Sequence, residues 1–480
     1  MPPAAGETRP TWCELDHHSL ADFVRAHGYS PTNVPHILRS WYKHDGELND
    51  WAKSRIGPRL AALLAEHIAP IASRVSHRHQ SADGTVKLLI DLPVHVPIDL
   101  PLHVLVDDLP LHVFREGAGG EGSFSPQSPA KFAATLPLAP SRSTRRGSNS
   151  AECVLMPAYR AGRAMACVSS QIGCAMGCEF CASTKNGLER NLSAGEIVEQ
   201  FVHLQREARL QNRRITSLVF MGMGEPMQNL AAVIPAIRRI ADPDLGAVGW
   251  RQVTVSTVGI VPGIDELADA DMNVHLALSL HTADDELRSQ IVPMNRKYNI
   301  EAIMTATKRF YDRTGRIVTI EWCLIAGVND TDAQADALAA LLRRFDFLRR
   351  ARVNVIPFNP IGAPANLRPA SVSDRIPPAT PMADHKYPAQ KRDSSTSVIT
   401  NPDPMRTQPS PVADARGSLA ANFRRPDALR VKQFIERLQS QNVVCHARDT
   451  RGDDVSAACG QLRRSVFGAA VPAAANRSFS

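Results

Sequence analysis

No run of about eighteen apolar residues occurs in this 480-residue chain, so a membrane-crossing helix of ordinary length is not expected. The opening residues, Met-Pro-Pro-Ala-Ala-Gly-Glu-Thr-Arg-Pro, lack the charged-then-apolar order of a secretory leader, and a cytoplasmic protein is expected. A strong excess of one charge is also missing: a formal +7 permits an RNA partner and does not require one. Nine cysteines, an odd number unevenly spread through a long chain, speak against a secreted disulfide framework. What the chain does have is 44% hydrophobic residues, enough for a large core in two or three domains, and 35 prolines gathered in a few segments.

Those segments set the organisation. Residues 18–75 carry apolar positions at helical spacing, such as Leu20, Phe23 and Val24, then Leu60, Leu63 and Leu64, so 1–80 reads as a small helical domain. An Asp83-Gly84 turn feeds a strand, and its continuation is Glu152-Cys-Val-Leu-Met-Pro, which makes 81–90 and 151–164 a hairpin linker. Between them, 91–150 is a low-complexity insertion with Asp-Leu-Pro-x-His-Val repeated from Asp91, Asp99 and Asp108. Its histidines are better explained by repeat expansion on an exposed loop than by a metal site. A second insertion, 364–426, is rich in Pro, Ser, Thr and Asp, and disorder is expected in both. Residues 427–465 hold a last helix and a cysteine-bearing loop, and 466–480 a tail.

The middle, 165–363, alternates β-rich runs with helical patterns. The runs are 165–168, 218–221, 252–256, 274–279, 318–324 and 352–356, with helices such as 230–241 and 332–345 between them. Six such units predict an α/β fold, a parallel sheet wound into a full or partial (β/α)6 barrel, with function at the carboxyl ends of the strands. Ser193-Ala-Gly-Glu196 is a capping box opening the helix after the first strand.

Four cysteines crowd on and just after that first strand: Cys167 on it, then Cys174, Cys178 and Cys181 at C-x3-C-x2-C spacing. Structural zinc wants four ligands, usually as two pairs, and this triad supplies three. Three thiolates on a 4Fe–4S cluster leave one iron open to an outside ligand. The spacing, with Phe180 before the last cysteine, is the hallmark of the radical S-adenosylmethionine superfamily. Small polar groups follow at successive strand ends: Gly224 and Glu225 in Met-Gly-Met-Gly-Glu-Pro, then Ser256, then Ser279, Leu280 and His281, then Asn359. Closely spaced glycines admit a ligand to the backbone, and Glu225 is suited to an ammonium group.

Near the C-terminus, Arg448-Asp-Thr-Arg-Gly-Asp-Asp-Val-Ser-Ala-Ala-Cys-Gly-Gln-Leu462 resembles the closing signature of the dual-specificity ribosomal RNA adenine carbon-2 methyltransferases. With Cys-Val-Ser-Ser-Gln-Ile-Gly-Cys174, Gly-Met-Gly-Glu-Pro226 and Ala-Leu-Ser-Leu-His281, the likeness runs from about Ser81 to Leu462, outside the insertions.

That resemblance implies a radical S-adenosylmethionine barrel with one 4Fe–4S cluster on Cys174, Cys178 and Cys181. It implies S-adenosylmethionine held by Gly224, Glu225, Ser256, Ser279, Leu280, His281 and Asn359. It further implies a catalytic trio: Cys459, which carries a methyl group; Glu152, the base; and Cys167, which releases the product through a transient disulfide with Cys459. Arg448 and Arg451 are placed to favour the Cys459 thiolate. The implied substrate is adenine 2503 of 23S rRNA, and also adenine 37 of tRNA. The base is flipped out for reaction, and phosphates are gripped by Arg163, Lys185, Arg190 and Arg296 and by the N-terminal domain. A flavodoxin-like electron donor is implied, and a monomer away from the membrane is expected. Methylation at carbon 8 of the same adenine, or a silent RNA-binding paralogue, is the alternative. Cys13, Cys153, Cys323 and Cys445 are assigned to packing.

Overall fold

The computed structural model describes residues 9–43, 56–93, 149–242, 248–360 and 422–448. All of these except Pro93 fall in one compact unit. Residues 94–148 and 364–421, which make up most of both insertions, and Arg451 and Cys459 therefore lie outside the described residues.

Three short helices come first: α1 (His17–Ala26), α2 (Val34–Lys43) and α3 (Pro58–His67). Leu20, Val24, Leu60 and Leu64 are buried as their spacing predicts, around a stacked Trp12–Trp41 pair 5.9 Å apart. The helical reading of 18–75 ends too late, because β1 (Arg74–Gln80) is a strand of the main sheet. Its sequence, Arg-Val-Ser-His-Arg-His-Gln, is that of a polar edge strand with little apolar alternation to reveal it.

Among the described residues the main sheet has ten strands in the order β1-β2-β3-β4-β7-β8-β9-β10-β11-β12. β2 (Val86–Asp91) and β3 (Ser150–Pro157) form the expected antiparallel pair, and β3 pairs antiparallel with β4 (Arg163–Cys167). From β4 the sheet is parallel through β7 (Arg214–Phe220), β8 (Val253–Thr257), β9 (His275–Ser279), β10 (Val318–Leu324) and β11 (Ala351–Pro357). These are the six predicted β/α strands. A three-residue β12 (Cys445–Ala447), too short for any periodic signal, adds a further parallel edge. β5 (Gln171–Gly173) and β6 (Leu188–Asn191) pair separately beside the cysteine triad.

Helices α4 (Ala194–Leu210), α5 (Leu230–Ile240), α6 (Val261–Asp269), α7 (Asp285–Ile291), α8 (Ile300–Thr314), α9 (Asp332–Arg344) and α10 (Ala428–Ser440) follow in chain order. One strand face joins their core, as Val255, Leu276, Leu278, Ile320, Trp322 and Val355 show. Alternation turns the neighbouring residues to the inner face. The sheet is curled, because Arg448, next to β12, reaches Met221 just after β7. Among the described residues β1 and β12 are its two edges, so the barrel they form is partial.

Candidate active site

Segment 168–171 and the glycine loop after β7 are knitted together by backbone and small side chains. The Ser169 hydroxyl donates to the Glu152 carbonyl at 2.6 Å and accepts from Met223 N–H at 2.8 Å. The Gln171 side chain accepts from Glu225 N–H at 2.8 Å, and Asn229 donates to the carbonyls of Ser170 and Leu192. A β-carbon at Gly224 would lie 2.6 Å from Gln171 Cβ, and φ there is +102°, so only glycine fits. From α4, Gln200 holds both backbone groups of Ser169. The capping box fixes the start of that helix, with Ser193 and Glu196 bonded reciprocally.

The triad occupies the loop between β5 and a 3-10 turn at Ala182–Thr184. Cys174 and Cys178 are buried, Cys181 is half-buried, and the Thr184 hydroxyl caps the carbonyls of Cys178 and Cys181. Burial pushes the Cys174 thiol up to about 12, and burial with Cys181 and Cys174 nearby pushes Cys178 up well above the ordinary range. Such a set gives up its protons readily only to a metal centre. Among the described residues, no group of three His, Cys, Asp or Glu side chains converges on a single-ion site. Three thiols on one loop, one short of the four ligands structural zinc uses, match a cluster that keeps one iron open, so the donor set fits 4Fe–4S.

Around the triad stand the other strand-end residues. Both Glu225 oxygens already accept backbone N–H groups, Met227 at 3.1 Å and Val258 at 2.9 Å, and burial lifts its pKa to about 7. Ser256 donates to the Phe220 carbonyl, which ties β8 to β7. His281 is buried with φ +66°, its Nδ1 accepts from Cys323 N–H, and its ring meets Phe180 edge-on at 4.6 Å. Burial holds it neutral, with a pKa of about 3. Ser279 and Leu280 contribute carbonyls to Arg288, a fully buried arginine absent from the sequence reading. Arg288 also donates to Val258 O and Asn295, so one guanidinium joins the ends of β8 and β9. Asn359 follows β11 and accepts from Arg425.

Glu152 and Cys167 meet the inner face from the other side. Glu152 is the third residue of β3, 2% exposed, with Oε2 2.9 Å from Lys87 Nζ. Val154 stands opposite Cys167, so Glu152, two residues away, shares that face. Cys167 packs with Val154 and Val219 among the half-buried Met156, Met165 and Met221. Cys13, Cys153 and Cys445 are buried, but Cys323 is half-buried and packs beside the triad, because alternation turns it inward. Arg448 contacts Met221 Sδ and lies 3.9 Å from Glu321. Arg190 is already engaged by Glu196 and Asn149, which occupies the guanidinium expected to hold phosphate.

A parallel partial barrel with a cysteine triad at its mouth defines a class, and the Radical SAM superfamily model matches residues 168–339. The chain is 38% identical over 455 residues to "Probable dual-specificity RNA methyltransferase RlmN 1" of Opitutus terrae, covering 95% of this chain and 97% of that protein. It is 39% identical over 319 residues to "Probable dual-specificity RNA methyltransferase RlmN" of Moorella thermoacetica, 66% of this chain and 73% of that one. The crystal structure of a radical SAM methyltransferase from Sphaerobacter thermophilus superposes with a TM-score of 0.65 at 30% identity, covering 94% and 98%. The chain belongs to the RlmN family of dual-specificity RNA methyltransferases within the radical SAM superfamily. Among the described residues no helix is long and apolar enough to cross a membrane.

Proposed function

We propose that this protein methylates carbon 2 of adenine 2503 in 23S rRNA and of adenine 37 in tRNA, acting as a cytoplasmic monomer fed by a flavodoxin-like one-electron donor. Cys174, Cys178 and Cys181 would hold the 4Fe–4S cluster. Gly224, Glu225, Ser256, Ser279, Leu280, His281 and Asn359 would line the S-adenosylmethionine site. When bound, cluster and S-adenosylmethionine together supply the one-electron chemistry that an unactivated aromatic carbon requires.

The chain's own residues do the rest. Cys459 carries the methyl carbon and delivers it to the ring. By then the methyl group has given up one hydrogen atom to that one-electron chemistry; Glu152 takes the ring proton while the C–H electron pair stays with the ring, and the one electron left over returns to the same source. The Cys167 sulfur then bonds to the Cys459 sulfur as the S–C bond of Cys459 breaks. The electron pair of that bond goes to the departing carbon, which takes up a proton to become the product methyl. A two-electron reductant reopens the disulfide.

The observation that carries this reading is the placing of Glu152 and Cys167 on one inner face, joined through Val154 and bordered by three methionines. Flexible thioethers suit the faces and edges of a flat ring. The test incubates reconstituted protein with large-subunit rRNA, S-adenosylmethionine and a reductant, then maps the product. Methyl at adenine carbon 2 is expected; methyl at carbon 8 alone, or no S-methylcysteine at Cys459, overturns the reading.

A further inference from the structure

Lys87 has no part in the scheme above, yet it sits in the middle of it. On β2, Val86, Leu88 and Ile90 join the outer core, so Lys87 turns inward. It stands opposite Val154, which stands opposite Cys167, and the three form one row across β2, β3 and β4. From that row its ammonium reaches diagonally to Glu152, 2.9 Å from Oε2, with side-chain exposures of 0% and 2%.

A buried Lys–Glu pair seldom repays its desolvation, and two apolar residues would join β2 to β3 at least as well. The pair therefore makes chemical sense where a proton acceptor is needed inside a barrel.

We infer that Lys87 is a positioning residue for proton removal from the substrate ring: its ammonium, ion-paired with Glu152, holds that carboxylate aimed beside Cys167. In the step it serves, the ring C–H bond breaks with its pair left on the ring, the proton goes to a Glu152 oxygen, and Lys87 stays an ammonium throughout. The inference rests on the assignment of Glu152 as base.

The test uses the full-length reconstituted enzyme with its RNA, as parent, Lys87→Met, Lys87→Arg, Glu152→Gln and the Lys87→Met/Glu152→Gln double variant. It reads S-methylcysteine at Cys459 by mass spectrometry, covalent RNA–protein adduct on a denaturing gel, and methyladenine. Lys87→Met is expected to keep S-methylcysteine within about twofold of the parent, to accumulate adduct and to lose at least about tenfold in product. Lys87→Arg should recover part of that loss. The double variant should be no worse than Glu152→Gln alone, because the lysine acts through the glutamate. Losses that multiply in the double variant, or Lys87→Met adduct released at the parental rate while Glu152→Gln stalls, overturn the role of Lys87. Parental release by Glu152→Gln overturns the base assignment itself. If Lys87→Met does not fold, Lys87→Gln, neutral but still polar, carries the same comparison.

Discussion

Replacing Arg288 by methionine tests how the mouth of the barrel is held open for a ligand. Arg288 donates to Leu280 O at 3.0 Å, Ser279 O at 3.0 Å, Val258 O at 2.7 Å and Asn295 Oδ1 at 2.8 Å, and it is fully buried. Methionine keeps most of the volume and removes every donor. Each orphaned buried acceptor costs about 1–3 kcal/mol, and breaking a buried charged network typically costs about 3–5 kcal/mol in all. At about 2–4 °C per kcal/mol for a large domain, the melting temperature should fall by roughly 10 °C. Arg288→Lys, with the charge but no fork, should fall between. The control is Arg309→Met: its pairing with Asp265 is half exposed, so it should cost less than about 1 kcal/mol. The same carbonyls border the proposed S-adenosylmethionine site, so Arg288→Met should also weaken binding of S-adenosylhomocysteine in calorimetry. A melting temperature within about 2 °C of the parent would refute the reasoning.

Three further outcomes follow from named groups. Burial lifts Glu225 to about 7, so near neutral pH it is partly protonated, and a bound ammonium group should expel that proton. Calorimetry of S-adenosylhomocysteine at pH 7 in buffers of different ionisation enthalpy should show release of about half a proton, abolished in Glu225→Gln. Gly224→Ala would put a methyl 2.6 Å from Gln171 Cβ at a left-handed φ, and should lower that ligand's affinity at least about tenfold, while Gly249→Ala, facing open space, should not. Burial lowers His203 to about 4 while Ser73 Oγ lies 3.0 Å from its Nε2. A base depressed below its unfolded value of 6.5 contributes stability above pH 6.5 and loses it as pH falls toward 4. Urea midpoints over that range should drop in the parent and flatten in His203→Gln.

How much of this was legible in the sequence depended on how far apart the partners lie. The triad is contiguous and its spacing speaks for itself, as does the Ser193–Glu196 capping box, whose two members are three residues apart. The six parallel strands and their helices were readable because each is apolar on the outer face and long enough to show a period. Ser169, Gln171, Asn229 and Arg288 carried no such signal. They act through hydrogen bonds to backbone groups on other strand ends, as when Asn229 reaches back to Ser170, and no local pattern marks a residue by the carbonyl it will meet. Lys87 was harder still: the hairpin is readable across the insertion, but its register is not, and the register is what brings Lys87 diagonally to Glu152. The register survives because the base of that insertion is stitched shut. Leu92 N–H donates to Asn149 O at 2.8 Å, and the Asp91 carboxylate accepts from the hydroxyls of Ser150 and Ser76. Lengthening a loop costs only about 0.6 kcal/mol per doubling, so a hairpin closed in this way tolerates a long insertion without a one-residue slip. Such a slip between β2 and β3 would turn Lys87 or Glu152 out of the barrel and part the pair, so the Asp91–Ser150 closure constrains the chemistry as firmly as it constrains the fold.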